Sequence, residues 1–221
     1  MDKPVLFVVA AGPGVSGSVA RRFGREGYDA ALVGLDEAVL EELAASLRDD
    51  GIQARWKKAD ITDPEEFAAA ASDLGESAGR IDVLHFNPSA FRQKTPLELT
   101  PEELAADVHV GVGALLTAVQ AARPFMGAGG RITATGSMAA DKPWNEAASL
   151  GVQKAGLRNL IHSIDTTLKP EGIRAVSVTV RGTLGKEGPF TPDRVAEAIF
   201  EAAVRNEAIW TTEVPYTGQQ R

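Results

Sequence analysis

Cysteine is absent from this 221-residue chain, which excludes a disulfide, a thiolate nucleophile and any metal site built on thiolates. That absence leaves the redox compartment open. Histidine occurs three times, at 85, 109 and 162, with no metal-ligand spacing, so no metal is expected. Tyrosine is scarcer still, at 28 and 216 only. Positive charge is also short: 23 Lys and Arg against 30 Asp and Glu give a formal net charge of −7, the wrong sign for a phosphate-backbone binder. Nucleic acid is therefore not an expected partner. The apolar run near the N-terminus, residues 5–11, is too short for a membrane span and lacks the basic flank and cleavage site of a signal peptide. No membrane partner is expected, and a cytoplasmic location is the default.

What is present is an ordinary globular composition, 44% hydrophobic and 24% charged, which predicts one domain over residues 1–221. Residues 5–9 read as a strand buried on both faces, and the glycines after it open into the helical pattern Val19, Ala20, Phe23. Gly12, Gly14 and Gly17 satisfy G-x-G-x-x-G, where small residues let backbone N–H groups and a helix N-terminus approach a pyrophosphate. The bare alternative is a glycine-rich turn without a ligand.

The strand–helix pattern then repeats along the chain. Strands are predicted over 29–34, 52–60 near the sheet edge, 81–86, 131–136 and 173–180, with 208–212 closing the sheet. Helices are predicted over 36–47, from 62–65 onward with Pro64 in the first turn, from a Thr100–Glu103 capping box to about 126, over 147–168 and over 191–205. Strict alternation implies a three-layer α/β domain around a doubly wound parallel sheet. Ligands of such sheets lie at the carboxyl ends of the strands, which singles out residues 10–17, 34–37, 59–62, 86–99, 135–148 and 181–191.

Taken in order, these motifs resemble the short-chain dehydrogenase/reductase family over nearly the whole chain. The resemblance implies a Rossmann-type NAD(P)-binding fold, NAD or NADP as cofactor, a small carbonyl or alcohol substrate, and a homodimer or homotetramer built through the two long helices. Ala10, Gly14 and Ser16 fall on the three family glycines, so that two carry side-chain atoms where close backbone approach is required. The resemblance assigns cofactor contacts to Gly12, Gly14, Val15, Ser16, Asp36, Asp60, Ile61, Asn87, Lys154 and Gly182. Asp60 matches the family acid at the adenine. Asp36 is placed either to accept a ribose hydroxyl or to cap the next helix. His85 reads as a satisfied core histidine rather than a catalyst.

The family's catalytic set is a serine, a tyrosine about a dozen residues on, and a lysine four residues after the tyrosine. Ser137 and Lys154 fall on the first and last, and position 150 holds leucine. Hydride reaching a carbonyl carbon leaves an alkoxide that needs a proton, and leucine has none to give. Three readings follow: an oxidoreductase whose proton transfer passes to Ser137, to Lys154 through water, or to a side chain within 141–145; a non-catalytic nucleotide- or metabolite-binding homologue; or a lyase- or isomerase-type use of the same pocket. The family's further asparagine falls near 109–111, on His109 or Gly111. Two helical glycines there, at 111 and 113, imply close packing against a ligand or another subunit. The connection over 182–191 is short, which predicts a more open pocket than in members carrying a helical lid.

Overall fold

In the computed structural model, which describes residues 3–219, Val5, Phe7 and Val9 pack on one face of a central sheet while Leu6 and Val8 pack on the other. A strand apolar on both faces must lie between two helical layers. Seven strands, β1 (Val5–Val9), β2 (Asp29–Gly34), β3 (Ala54–Lys58), β4 (Val83–Phe86), β5 (Arg131–Ser137), β6 (Arg174–Val180) and β7 (Glu213–Tyr216), form one sheet in the order β3-β2-β1-β4-β5-β6-β7. Every pairing is parallel. The strand order turns back between β1 and β4, and the crevice at their carboxyl ends is the ligand position of such a sheet.

One layer holds α1 (Val15–Gly24), α2 (Glu37–Asp49) and α7 (Pro192–Ala203). The other holds α3 (Pro64–Ala78), α4 (Pro101–Val108), α5 (Ala114–Ala122) and α6 (Ala148–Leu168). The predicted starts use the predicted chemistry. Asp63 caps α3 with Pro64 following it, and Thr100 and Glu103 form the reciprocal capping box of α4. The continuous helical stretch Pro101–Phe125 is long and apolar enough to cross a membrane; here Leu115, Ala118 and Ala122 of that stretch lie fully buried in the core.

Two details differ from expectation. The helix predicted to run unbroken from 100 to 126 widens into a π-turn at His109–Gly113, between α4 and α5. The closing strand is not 208–212 but β7, paired Ser177 to Glu213 through Val180 to Tyr216. Asn206 accepts the Ala208 N–H and sets a short 3₁₀ turn over Glu207–Ile209. Trp210 then serves as a platform for Arg174 and Arg131, whose guanidinium carbons stand 4.8 and 5.2 Å from its ring centre. Arg174 is itself fixed by a bidentate pair of 2.9 Å bonds to buried Asp165, so this stretch is spent on anchoring cations.

Candidate active site

The glycine turn after β1 is tied from below by side chains. Ala10 adopts φ +59°, a left-handed conformation that costs a residue with a Cβ roughly 1–2 kcal/mol. Its carbonyl accepts the Ser16 hydroxyl at 2.7 Å, and Ser16 in turn accepts an N–H of Asn87 at 2.9 Å. Ser16 is buried, so its extra atoms point into the protein and link β1 to the loop after β4 instead of filling the open side of the turn. On that open side nothing stands within 4 Å of a Cβ built at Gly12 or Gly14. Gly14 is the N-cap of α1 and offers no side-chain cap, which leaves the first-turn N–H groups for an anion.

Gly17 is different, because a Cβ there would come within 2.7 Å of the Gly12 carbonyl oxygen. Gly17→Ala is therefore expected to distort the turn, costing about 1–3 kcal/mol of stability and with it dinucleotide affinity. Gly14→Ala should cost less stability than Gly17→Ala, since a Cβ at Gly14 meets nothing within 4 Å. Chemical denaturation of both variants checks the contrast.

The residues predicted for an adenosine lie along the same edge of the sheet. Asp36 caps α2, accepting the Ala38 and Val39 N–H groups at 2.9 and 3.1 Å, so the capping alternative is the one seen. Asp60 accepts the Thr62 backbone N–H and hydroxyl through one oxygen, at 2.8 and 2.7 Å. Those bonds, the backbone one foremost, hold its carboxyl below the usual range. Ile61 is half-buried against the core.

On the other side of α1 a cavity of about 330 Å³ opens at the carboxyl ends of β4, β5 and β6. Val15, Asn87, Ser137, Lys154 and Gly182 all reach it, as does Leu150. Ser89, Thr135, Gly136, Val180 and Leu184 complete the lining and were not singled out by the sequence as site residues. Asp36, Asp60 and Ile61 are not among the lining residues.

The side chains in this cavity are poised in a definite way. Ser137 accepts the Ala139 N–H at 3.2 Å, which leaves its own hydrogen free to point at a ligand. Lys154 is buried, and its ammonium donates to the Thr135 and Pro88 carbonyls at 3.0 and 3.3 Å. Two of three N–H groups are thus used, and the third remains. Among the described residues no carboxylate lies in ion-pair range of Lys154, and burial pulls its pKa down to about 8. Pro88, which has no N–H, contributes to the site through its carbonyl.

Neighbouring groups settle several sequence alternatives. His85 is wholly buried, its Nδ1 2.9 Å from the Thr133 hydroxyl, and burial first and the Lys154 charge second push its pKa down to about 3. It is neutral across the working range. Neither His109 nor Gly111 brings a side chain to the cavity. His109 meets the Thr62 carbonyl at 3.0 Å, and the space beside Gly111 is taken by the Gln153 amide, whose oxygen would lie 2.6 Å from a Cβ there. Gln153 uses that amide to hold both the N–H and the carbonyl of Ala90 at 3.0 Å. The helical glycines are thus explained by packing within the chain, at Gly111 against Gln153 and at Gly113 against the His109 ring. Within 141–145, Asp141 bonds Arg158 at 2.6 Å and Arg181 at 3.0 Å, and Arg158 above all keeps its carboxyl ionised. It is not a proton donor.

A family model described as enoyl-(acyl carrier protein) reductase matches residues 9–214. The chain belongs to the short-chain dehydrogenase/reductase family. A member from Sinomonas cyclohexanicum, cis-4-hydroxycyclohexanecarboxylate dehydrogenase, is 29% identical over 217 residues, which span 88% of this chain and 87% of that protein. The L-2,3-butanediol dehydrogenase of Corynebacterium glutamicum is 28% identical over 189 residues, 82% of this chain and 72% of its own. Among solved structures, a short-chain dehydrogenase from Burkholderia cenocepacia in complex with NADP superposes with a TM-score of 0.89 at 25% identity, covering 99% of this chain and 97% of that one. One from Mycobacterium smegmatis gives 0.88 at 26% identity, with 100% and 94% covered. The family is one of NAD(P)-dependent oxidoreductases, and the Rossmann-type crevice between β1 and β4 is its cofactor position. The residues present fit such a group: the α1 N-terminus is uncapped, the turn at Gly12 and Gly14 is open, and a buried ammonium without a carboxylate keeps one donor unused.

Proposed function

We propose that this chain interconverts a small uncharged carbonyl compound and its alcohol, with Lys154 as the proton donor where the family has tyrosine. The observation that carries this reading is the meeting of Lys154 and Ser137 in one cavity at the carboxyl end of β5, beside the open N-terminus of α1. The two named relatives support the alcohol–carbonyl chemistry, since both are dehydrogenases of secondary alcohols. The cavity walls support an uncharged substrate. Val15, Leu150, Val180 and Leu184 are apolar, and Asp141, a carboxylate of the loop after β5, is paired with two arginines.

In this reading the pyrophosphate rests on the backbone of Gly12, Gly14, Val15 and Ser16, the adenosine lies beside Asp36, Asp60 and Ile61, and Asn87, Gly182 and Lys154 face the nicotinamide end. NAD(P)H, when bound, supplies the hydride. Ser137 donates its free O–H to the substrate oxygen and so fixes the carbonyl's direction. Lys154 holds a proton on Nζ and releases it to the oxygen as negative charge builds there, a transfer that burial favours because the neutral amine suits the desolvated site. Thr135 and Pro88 keep the amine in place through their carbonyls. The protonated form prevails below pH 8, so carbonyl reduction is expected to fall as pH rises through about 8 while alcohol oxidation rises over the same interval.

Direct titration with NADH and NADPH tests the reading first. Binding of either in the micromolar to millimolar range is the expected result, and no binding of either at millimolar concentration overturns it. Leu150 favours a second reading, a binding protein without turnover; dinucleotide affinity combined with no reduction of any carbonyl across a broad panel would select it.

A further inference from the structure

With leucine at 150, the cavity wall one turn before Lys154 carries no hydroxyl, and that bears on what the amine itself is free to do. Among the described residues Lys154 is the one basic group on the cavity wall, and its bonds there run to two neutral backbone carbonyls. The wall one turn before it on α6 is Leu150, which neither neutralises nor hydrates the amine. The titratable group whose charge couples to it is His85, behind Thr135, and His85 stays neutral. An amine so placed retains a lone pair near neutral pH, whereas exposed lysines hold theirs protonated.

We propose that Lys154 forms an imine with small apolar aldehydes and ketones that enter this cavity, an activity separate from hydride transfer and independent of any dinucleotide. The unprotonated Nζ adds to the carbonyl carbon, a C–N bond forms, and the C=O π pair passes to oxygen, which takes up a proton. The nitrogen, now positively charged, gives up one proton, and its regained lone pair expels the oxygen, which takes up a second proton and leaves as water, so that a protonated C=N remains. No oxidation state changes. Ser137, with its hydrogen free, and Ser89, exposed at the opening, are hydroxyls placed to exchange the protons of addition and dehydration. Val15, Leu150 and Val180 favour an alkyl chain over a charged one.

The test traps the imine. The purified full chain is incubated at pH 7 with limiting butanal and cyanoborohydride, which reduces C=N to a stable secondary amine, and the butyl group is located by peptide mass mapping. The free-base fractions of an amine at about 8 and of an ordinary lysine differ by roughly 200-fold at pH 7, so butylation of Lys154 is expected to run about two orders of magnitude faster than that of exposed Lys58, Lys142 or Lys186. Labelling spread over the exposed lysines, with Lys154 no faster than they are, overturns the proposal. Because wild-type protein is mapped directly, no variant needs to fold. Dinucleotide binding is read by a different experiment, so either result stands without the other.

Discussion

Lys154→Met is expected to lower carbonyl reduction by about 10²- to 10⁴-fold, the range lost when a positioned proton donor is removed. Methionine keeps the unbranched length and fills the same space, so the effect on chemistry is separable from a hole in the core. Dinucleotide affinity should fall as well, because the unused N–H at the nicotinamide end is gone; an unchanged affinity and rate together contradict the role assigned here. Stability provides an independent readout. Burial moves Lys154 from 10.5 to about 8, so at pH 7 the folded state holds a proton it disfavours by roughly 3 kcal/mol. The unfolded chain binds more protons between these two values, and stability of the wild type therefore rises from pH 8 toward 10. In Lys154→Met that rise is absent. Removing the donors to the Thr135 and Pro88 carbonyls costs about 1–3 kcal/mol, so the two effects largely cancel at pH 7. Urea denaturation of both proteins at pH 7, 8, 9 and 10 measures the difference in slope.

The sheet was legible because its strands are buried on both faces. A run such as residues 5–9 has one stable home, between two layers of helices, and Val5, Phe7 and Val9 against Leu6 and Val8 show each face finding its own layer. The helix starts were legible for a local reason: Asp63, Thr100 and Thr191 cap within three residues, and such bonds do not wait for tertiary structure. The last strand was not legible. Residues 208–212 are as strand-like as 213–216, and Pro215 argues against the latter except at a sheet edge, where β7 in fact lies. What decides between them is Trp210 lying over Arg131 and Arg174, contacts made by residues 36 and more positions away.

The site divides along the same line. Spacing put Ser137, Lys154 and Asn87 after a strand or on a helix at a fixed offset, and the structure brings these three to one cavity. Spacing does not set the direction in which a side chain points. Ser16 crowds the turn on paper, yet its hydroxyl is drawn inward by Ala10 and Asn87. Gln153 carried no signal at all, although it occupies the space beside Gly111 and holds Ala90 in the loop that gives Lys154 one of its acceptors.

Leu150→Tyr is expected to raise carbonyl reduction by at least about tenfold over wild type. Leu150 and Lys154 stand one turn apart on α6 and both line the cavity, so a longer side chain at 150 extends along the same wall toward the space beside Ser137. A phenol there faces a buried cation without a carboxylate competitor, which stabilises the phenolate and lowers the pKa of the hydroxyl toward the working range. Lys154 in turn gains a partner and keeps its proton to higher pH, so the pH at which reduction declines should move upward in the variant. The gain stays below the full 10²- to 10⁴-fold of general acid catalysis because Lys154 already supplies part of it in the wild type. Leu150→Phe separates shape from chemistry: it adds the ring without the proton and should leave the rate near that of the wild type. If tyrosine and phenylalanine variants are equally active while both bind dinucleotide as the wild type does, a hydroxyl at position 150 does not act as a proton donor in this site.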